Sequence, residues 1–140
     1  MVGFPGETDE MFHELCDFVK TARFDHLGVF VFSPEKGTHA ARQEPTVKRG
    51  VAEERQAEIM AIQSRISKDL NQRLLGQTVP VLIEGLSPET DLLLKGRTFS
   101  MAPDVDAQVL INQGEGIVGE IMPVLITEAY SYDIIGKIVE

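Results

Sequence analysis

The chain has 140 residues, 43% of them hydrophobic, enough for one ordinary domain or two small ones. Asp and Glu outnumber Lys and Arg 22 to 13, a formal charge of -9, which disfavours a binder of the nucleic-acid backbone and suits a basic partner. The single cysteine, Cys16, excludes a disulfide or a cysteine-held metal or iron–sulfur centre made from these residues alone.

The opening, Met1-Val-Gly-Phe-Pro-Gly-Glu7, reads as the end of a buried strand followed by a glycine-rich turn into a helix. A start this far into a βα unit looks cut from something larger. Gly3 and Gly6 let the backbone approach a ligand, and N–H groups at the helix entry could take a polar or anionic group. A tight βα turn capped by Glu7 accounts for the same residues. Residues 8–23 predict a helix with Thr8 as N-cap and an apolar stripe of Met11, Leu15, Phe18, Val19 and Ala22. Cys16 lies beside that stripe and reads as a small buried hydrophobe, because no partner that would activate a thiol is apparent.

Residues 27–32, Leu-Gly-Val-Phe-Val-Phe, predict a strand buried on both faces and parallel to the first. The loop 33–40, with Pro34 and Gly37, would then share a rim with residues 3–7. Two parallel strands enclose little core, so this piece wants neighbours; its unpaired edges favour self-association. His13, His26 and His39 have no metal-ligand spacing. A longer helix is expected over 48–75. Its face runs through Ala52, Arg55, Ile59, Ile62, Ile66, Asp69 and Arg73, widened by Met60 and Leu70, and it stops at Gly76.

The remainder is β-rich, with strands expected at 78–84, 92–99, 108–112, 121–128 and 134–139. Five short strands with glycine-rich turns predict a small closed antiparallel, OB-like barrel. Pro80 inside the first strand requires an edge-like or bulged position. From Gly76 onward there are ten acidic and three basic residues, so the acidity belongs to this part. Asp91, Asp104, Asp106 and Glu115 fall in its loops, as a solvated acidic surface or a docking face for a basic protein. Phe99, Tyr130 and Tyr132 read as core or barrel-rim packing rather than base-stacking platforms. No Ser–His–acid set or paired carboxylates stand out, and no catalytic residue is assigned. No apolar stretch reaches membrane-spanning length and the start lacks a signal-peptide pattern, so no membrane contact and a cytoplasmic location are expected.

Residues 2–8 (VGFPGET), 23–34 (RFDHLGVFVFSP) and Gly37-Thr38 resemble the late radical-SAM barrel of methylthiotransferases. Gly96-Arg-Thr98, Ala102-Pro-Asp104, Asp106 and residues 126–133 (ITEAYSYD) resemble the TRAM domain that follows it. The phrase RTFSMAPD (97–104) with Asp106 resembles the RimO branch in particular. The resemblance implies three parts: residues 1–47 from the end of an α/β radical-SAM (partial TIM) barrel, 48–75 as a linking helix, and 76–140 as the TRAM barrel. It implies an enzyme that methylthiolates the β-carbon of an aspartate in the small-subunit ribosomal protein S-twelve, using S-adenosylmethionine and two 4Fe–4S clusters.

Carried onto this chain, Val2, Gly3, Phe4, Pro5, Gly6 and Glu7 border the S-adenosylmethionine site, with Phe32 and Ser33 near the adenine. Asp91, Asp104, Asp106 and Glu115 would dock the basic protein, and nucleic acid is not the expected partner. His39 stands where such enzymes often have proline. The three-cysteine motif is absent, so these residues alone are expected to be inactive and to bind no cofactor tightly. A tRNA methylthiotransferase fragment and a stand-alone TRAM adaptor are the alternatives.

Overall fold

The computed structural model describes residues 1–44, 46–88, 90–105 and 107–139. Its elements are α1 (Asp9–Ala22), a 3-10 turn (Ala40–Arg42), α2 (Arg49–Gln72) and five strands: β1 (Thr78–Ser87), β2 (Thr90–Arg97), β3 (Val109–Gln113), β4 (Ile121–Ala129) and β5 (Ile134–Ile138). They gather into two units, Met1–Ser64 and Arg65–Glu140, and α2 contributes residues to both.

In the first unit, α1 starts where expected. Thr8 has extended backbone and its hydroxyl accepts from the Met11 N–H at 3.2 Å. The helix ends on Arg23, left-handed at φ 50°, whose N–H reaches the Val19 carbonyl. The buried stripe is Phe12, Cys16 and Val19, whereas Met11 and Phe18 are more than half exposed. The expected stripe is thus rotated by about one position. Two adjacent apolar rows have the same helical period, and period alone cannot choose between them.

The expected strand at 27–32 is reduced to a single parallel bridge, Val2 to Val31. The Val2 N–H donates to the Phe30 carbonyl at 2.9 Å, and the Phe32 N–H donates to the Val2 carbonyl at 2.8 Å. Gly3, at φ +77°, turns the chain away at once, so the ladder does not lengthen. Nor is the segment buried on both faces: Val29 is inside, but Phe30 is 74% exposed. Helix α2 supplies part of what a neighbouring strand would have given. The Gln56 side chain donates to the Val29 carbonyl at 2.6 Å, and that of Gln63 to the Phe24 carbonyl at 2.7 Å. Buried backbone carbonyls need such partners, and here two helix glutamines provide them.

In the second unit, the strands close into a barrel in the order β1-β2-β3-β5-β4. Val81, Ile83, Met101, Val109, Ile111, Val124, Ile126 and Ile134 fill its core. The expectation of a purely antiparallel barrel is corrected, because β3 and β5 pair in parallel. The reason is arithmetic: strand direction cannot alternate all the way round a closed ring of five, so one neighbouring pair must be parallel. Pro80 lies directly opposite Pro123. The β1–β4 ladder bonds at Ile83–Glu120 and at Gln77–Ile126, so by alternation the two prolines fall at a position where neither strand needs an N–H. Pro80 also lies beyond the end of the β1–β2 pairing, which stops at Leu82. Helix α2 ends at Gln72, short of the expected Leu75, and Gly76 (φ +76°) gives its N–H to the Ile126 carbonyl.

Candidate functional site

The glycine turn is built around Glu7. The Gly3 N–H donates to both Glu7 carboxylate oxygens at 3.1 Å. Glu7 is also ion-paired with Arg55 from α2, whose side chain is only 7% exposed. Arg55 bonds Asp9 at 2.5 Å and lies 5.2 Å from the Phe12 ring centroid. A side chain at Gly3 would meet more than its positive φ, since a Cβ there would come within 2.5 Å of the Ala52 Cβ. The Gly6 N–H donates to the Thr46 hydroxyl at 2.7 Å, and the Glu7 N–H to the Phe4 carbonyl at 3.0 Å. Phe4 and Phe32 pack edge to face with centroids 5.1 Å apart. Val2 is fully buried, Pro5 is half-buried and Ser33 is exposed.

An open cavity of about 550 Å³ adjoins this turn, lined among others by Glu7, Asp9, Glu10, Thr46, Lys48 and Arg55. Hydrogen bonds from its own backbone N–H and from Thr8 hold the Glu10 carboxyl below the usual range. Three carboxylates face two cations, and the N–H groups of Gly3, Gly6, Glu7 and Met11 already have acceptors within the chain. What the turn presents outward is therefore acidic and aromatic rather than a ring of open N–H donors for an anion. The structure thus brings Val2, Gly3, Phe4, Pro5, Gly6, Glu7 and Phe32 together, with Ser33 following Phe32. Sequence reasoning placed Arg55 only on a helix face. An arginine in register with Ala52 and Ile59 was the available signal of a buried ion pair.

The acidic loop residues do not gather in one place. Asp91 is corrected from loop to strand, because β2 starts one residue before it, at Thr90, and Glu115 follows β3, which puts both at the barrel end where β1 runs into β2. Asp104 lies in the β2–β3 loop at the other end, left-handed at φ 58°, with its nearest cation, Lys95, at 3.8 Å. Asp106 lies outside the described residues. Phe99 is corrected from packing residue to surface residue, because its ring is 96% exposed. Tyr130 and Tyr132, on the β4–β5 turn, are half exposed, and the Tyr130 hydroxyl donates to Glu128 at 2.7 Å. Among the described residues, no group of three His, Cys, Asp or Glu is placed to hold a metal, and no helix is long and apolar enough to cross a membrane.

Residues 75–139 match the TRAM domain family, a span that includes all five strands. Over all 140 residues, the chain is 50% identical to the ribosomal protein uS12 methylthiotransferase RimO of Pelobacter propionicus and covers 31% of that protein. It is 48% identical to the protein of the same name from Myxococcus xanthus, covering 29% of it. Over 134 residues it is 49% identical to the one from Syntrophobacter fumaroxidans, covering 30%. The chain is thus homologous along its whole length to RimO proteins, and spans about 30% of the length of these relatives.

Proposed function

We propose that this chain is the C-terminal portion of a RimO-type radical-SAM methylthiotransferase. Residues 1–47 complete the end of the radical-SAM barrel, 48–75 link, and 76–140 form the TRAM domain that docks the protein substrate. The observation that carries this reading is the extent of the similarity: it runs through both units at about 50% identity rather than stopping at the TRAM domain. The parent would transfer a methylthio group to the β-carbon of an aspartate in uS12, with S-adenosylmethionine and two 4Fe–4S clusters supplying the radical chemistry.

The residues present do not fit a cluster, because Cys16 is the only cysteine and lies 2% exposed in the α1 face. The cluster ligands belong to the rest of the parent. Toward S-adenosylmethionine, this segment contributes one wall: the Phe4 and Phe32 rings, Ser33, and the acidic side of the glycine turn. With the turn's N–H groups engaged internally, that wall alone holds the cofactor weakly.

Ten acidic residues against three basic ones in 76–140 suit uS12, a basic protein, and disfavour tRNA. Asp91, Asp104, Asp106 and Glu115 are the docking charges. Titration of the purified chain with uS12 and with tRNA tests this. The expected result is binding to uS12 that weakens as salt rises from about 50 to 300 mM. Tighter binding to tRNA would transfer the chain to the tRNA-modifying branch.

A further inference from the structure

In the second unit, the β2–β3 loop begins with a turn whose two ends are fixed and whose middle is not. The Met101 N–H donates to the Thr98 carbonyl at 3.2 Å. Thr98 is 7% and Met101 4% exposed, and Met101 belongs to the barrel core. The Thr98 and Ser100 hydroxyls bond at 3.0 Å, and Arg97 reaches the Met101 carbonyl at 3.4 Å. Between these anchors Phe99 stands 96% exposed. A polar side chain would serve solubility better there, and a ring 96% exposed adds nothing to the barrel's own core.

A large apolar side chain on an anchored turn loses little freedom when a partner covers it. The same loop exposes Val105 (81%), and Asp104 keeps 88% of its side-chain surface in water. Cations in 76–140 are taken up nearby: Arg97 bonds Glu84 at 2.8 Å, and Lys95 lies 3.8 Å from Asp104. The loop therefore offers an exposed ring on a part of the chain with ten acidic residues against three basic ones. An exposed aromatic face on an acidic surface is the chemistry that receives a guanidinium or ammonium group.

We infer that Phe99 is the anchor by which the barrel grips its basic protein partner, with an Arg or Lys side chain of that partner laid on the ring. This deepens the proposed function and rests on it. Phe30, 74% exposed in the first unit and outside the residues proposed to dock the partner, is the internal control.

The test uses the full 140-residue chain and its Phe99→Ala, Phe99→Tyr and Phe30→Ala variants, titrated calorimetrically with uS12 and with tRNA, with Tm measured for each. A ring so exposed packs on nothing, so Phe99→Ala should leave Tm unchanged. It should weaken uS12 binding about tenfold or more, as loss of a central aromatic contact does. Phe99→Tyr should restore most of the affinity, and Phe30→Ala should bind normally. Wild-type binding to uS12 with an unimpaired Phe99→Ala variant overturns the inference alone. An equal loss in Phe30→Ala also overturns it, as does a loss confined to tRNA, which would make Phe99 a base-stacking residue. Absence of uS12 binding by the wild-type chain overturns the proposed function and this inference with it.

Discussion

Arg55 is a charge buried in α2 between two carboxylates of very different exposure. Glu7 is 12% exposed and Asp9 81%. Both contacts are ion pairs, but only the first is cut off from water. Breaking a buried pair by removing one partner leaves an uncompensated charge, which costs on the order of 3–5 kcal/mol. An exposed pair is worth about 0–1 kcal/mol because water and salt compete for both ends. Arg55→Leu should therefore destabilise the first unit by several kcal/mol and release the Glu7 carboxylate that holds the Gly3 N–H. Asp9→Ala should cost no more than about 1 kcal/mol. Chemical denaturation of the two variants measures the difference. Equal effects would mean that the contact with Asp9, not the buried one with Glu7, carries the arginine's contribution.

At the scale of elements, the barrel is held by strands that approach too closely for side chains at certain points. A Cβ on Gly136 would lie 2.5 Å from the Val124 Cγ1 and 2.7 Å from the Leu125 carbonyl oxygen. The valine could turn, but the oxygen belongs to the β4–β5 ladder, where Leu125 pairs with Lys137. Gly136→Ala should thus lower barrel stability by about 1–3 kcal/mol, the usual cost of overpacking. A shift in the denaturation midpoint of barrel fluorescence or amide protection reports it.

Which elements exist was legible from local pattern. Thr8 marked the start of α1, and glycine-punctuated apolar runs marked all five strands, though β1 continues to Ser87, three residues past its expected end. What was not legible depends on partners far along the chain. The parallel β3–β5 pairing follows from closing an odd ring, not from either strand's residues. The reduction of 27–32 to one bridge follows from the turn at Gly3, and its compensation by Gln56 and Gln63 is a tertiary event. In the candidate site, the glycine turn was visible, but Arg55 and Thr46 meet it from 48 and 40 residues away. Phe99 was visible as an aromatic but was assigned to packing. Composition cannot distinguish a ring turned inward from one held outward between buried Thr98 and Met101.

Over the whole molecule, the two units are stabilised by different kinds of contact. Arg65–Glu140 has a closed ring of five paired strands around one apolar cluster, so its backbone bonds and its core support each other. Met1–Ser64 has one β-bridge, a short apolar face on α1 made of Phe12, Cys16 and Val19, and side-chain bonds from α2 to Glu7 and to the carbonyls of Phe24 and Val29. Side-chain bonds to single carbonyls lack the cooperativity of a ladder, and such regions open at lower free energy than a closed core. Cys16 is the natural reporter of that opening. Desolvation first, and then the charge of Glu58, push its thiol pKa up, so near neutral pH it holds less reactive thiolate than a free cysteine. In the folded chain, alkylation should be slow. In a denaturant series, Cys16 should become reactive while amides of β4 and β5 remain protected, giving two separated midpoints. Coincident midpoints would show that α2, which runs through both units, transmits the barrel's stability to the glycine turn, and the first unit would then owe its order to the helix rather than to its own contacts.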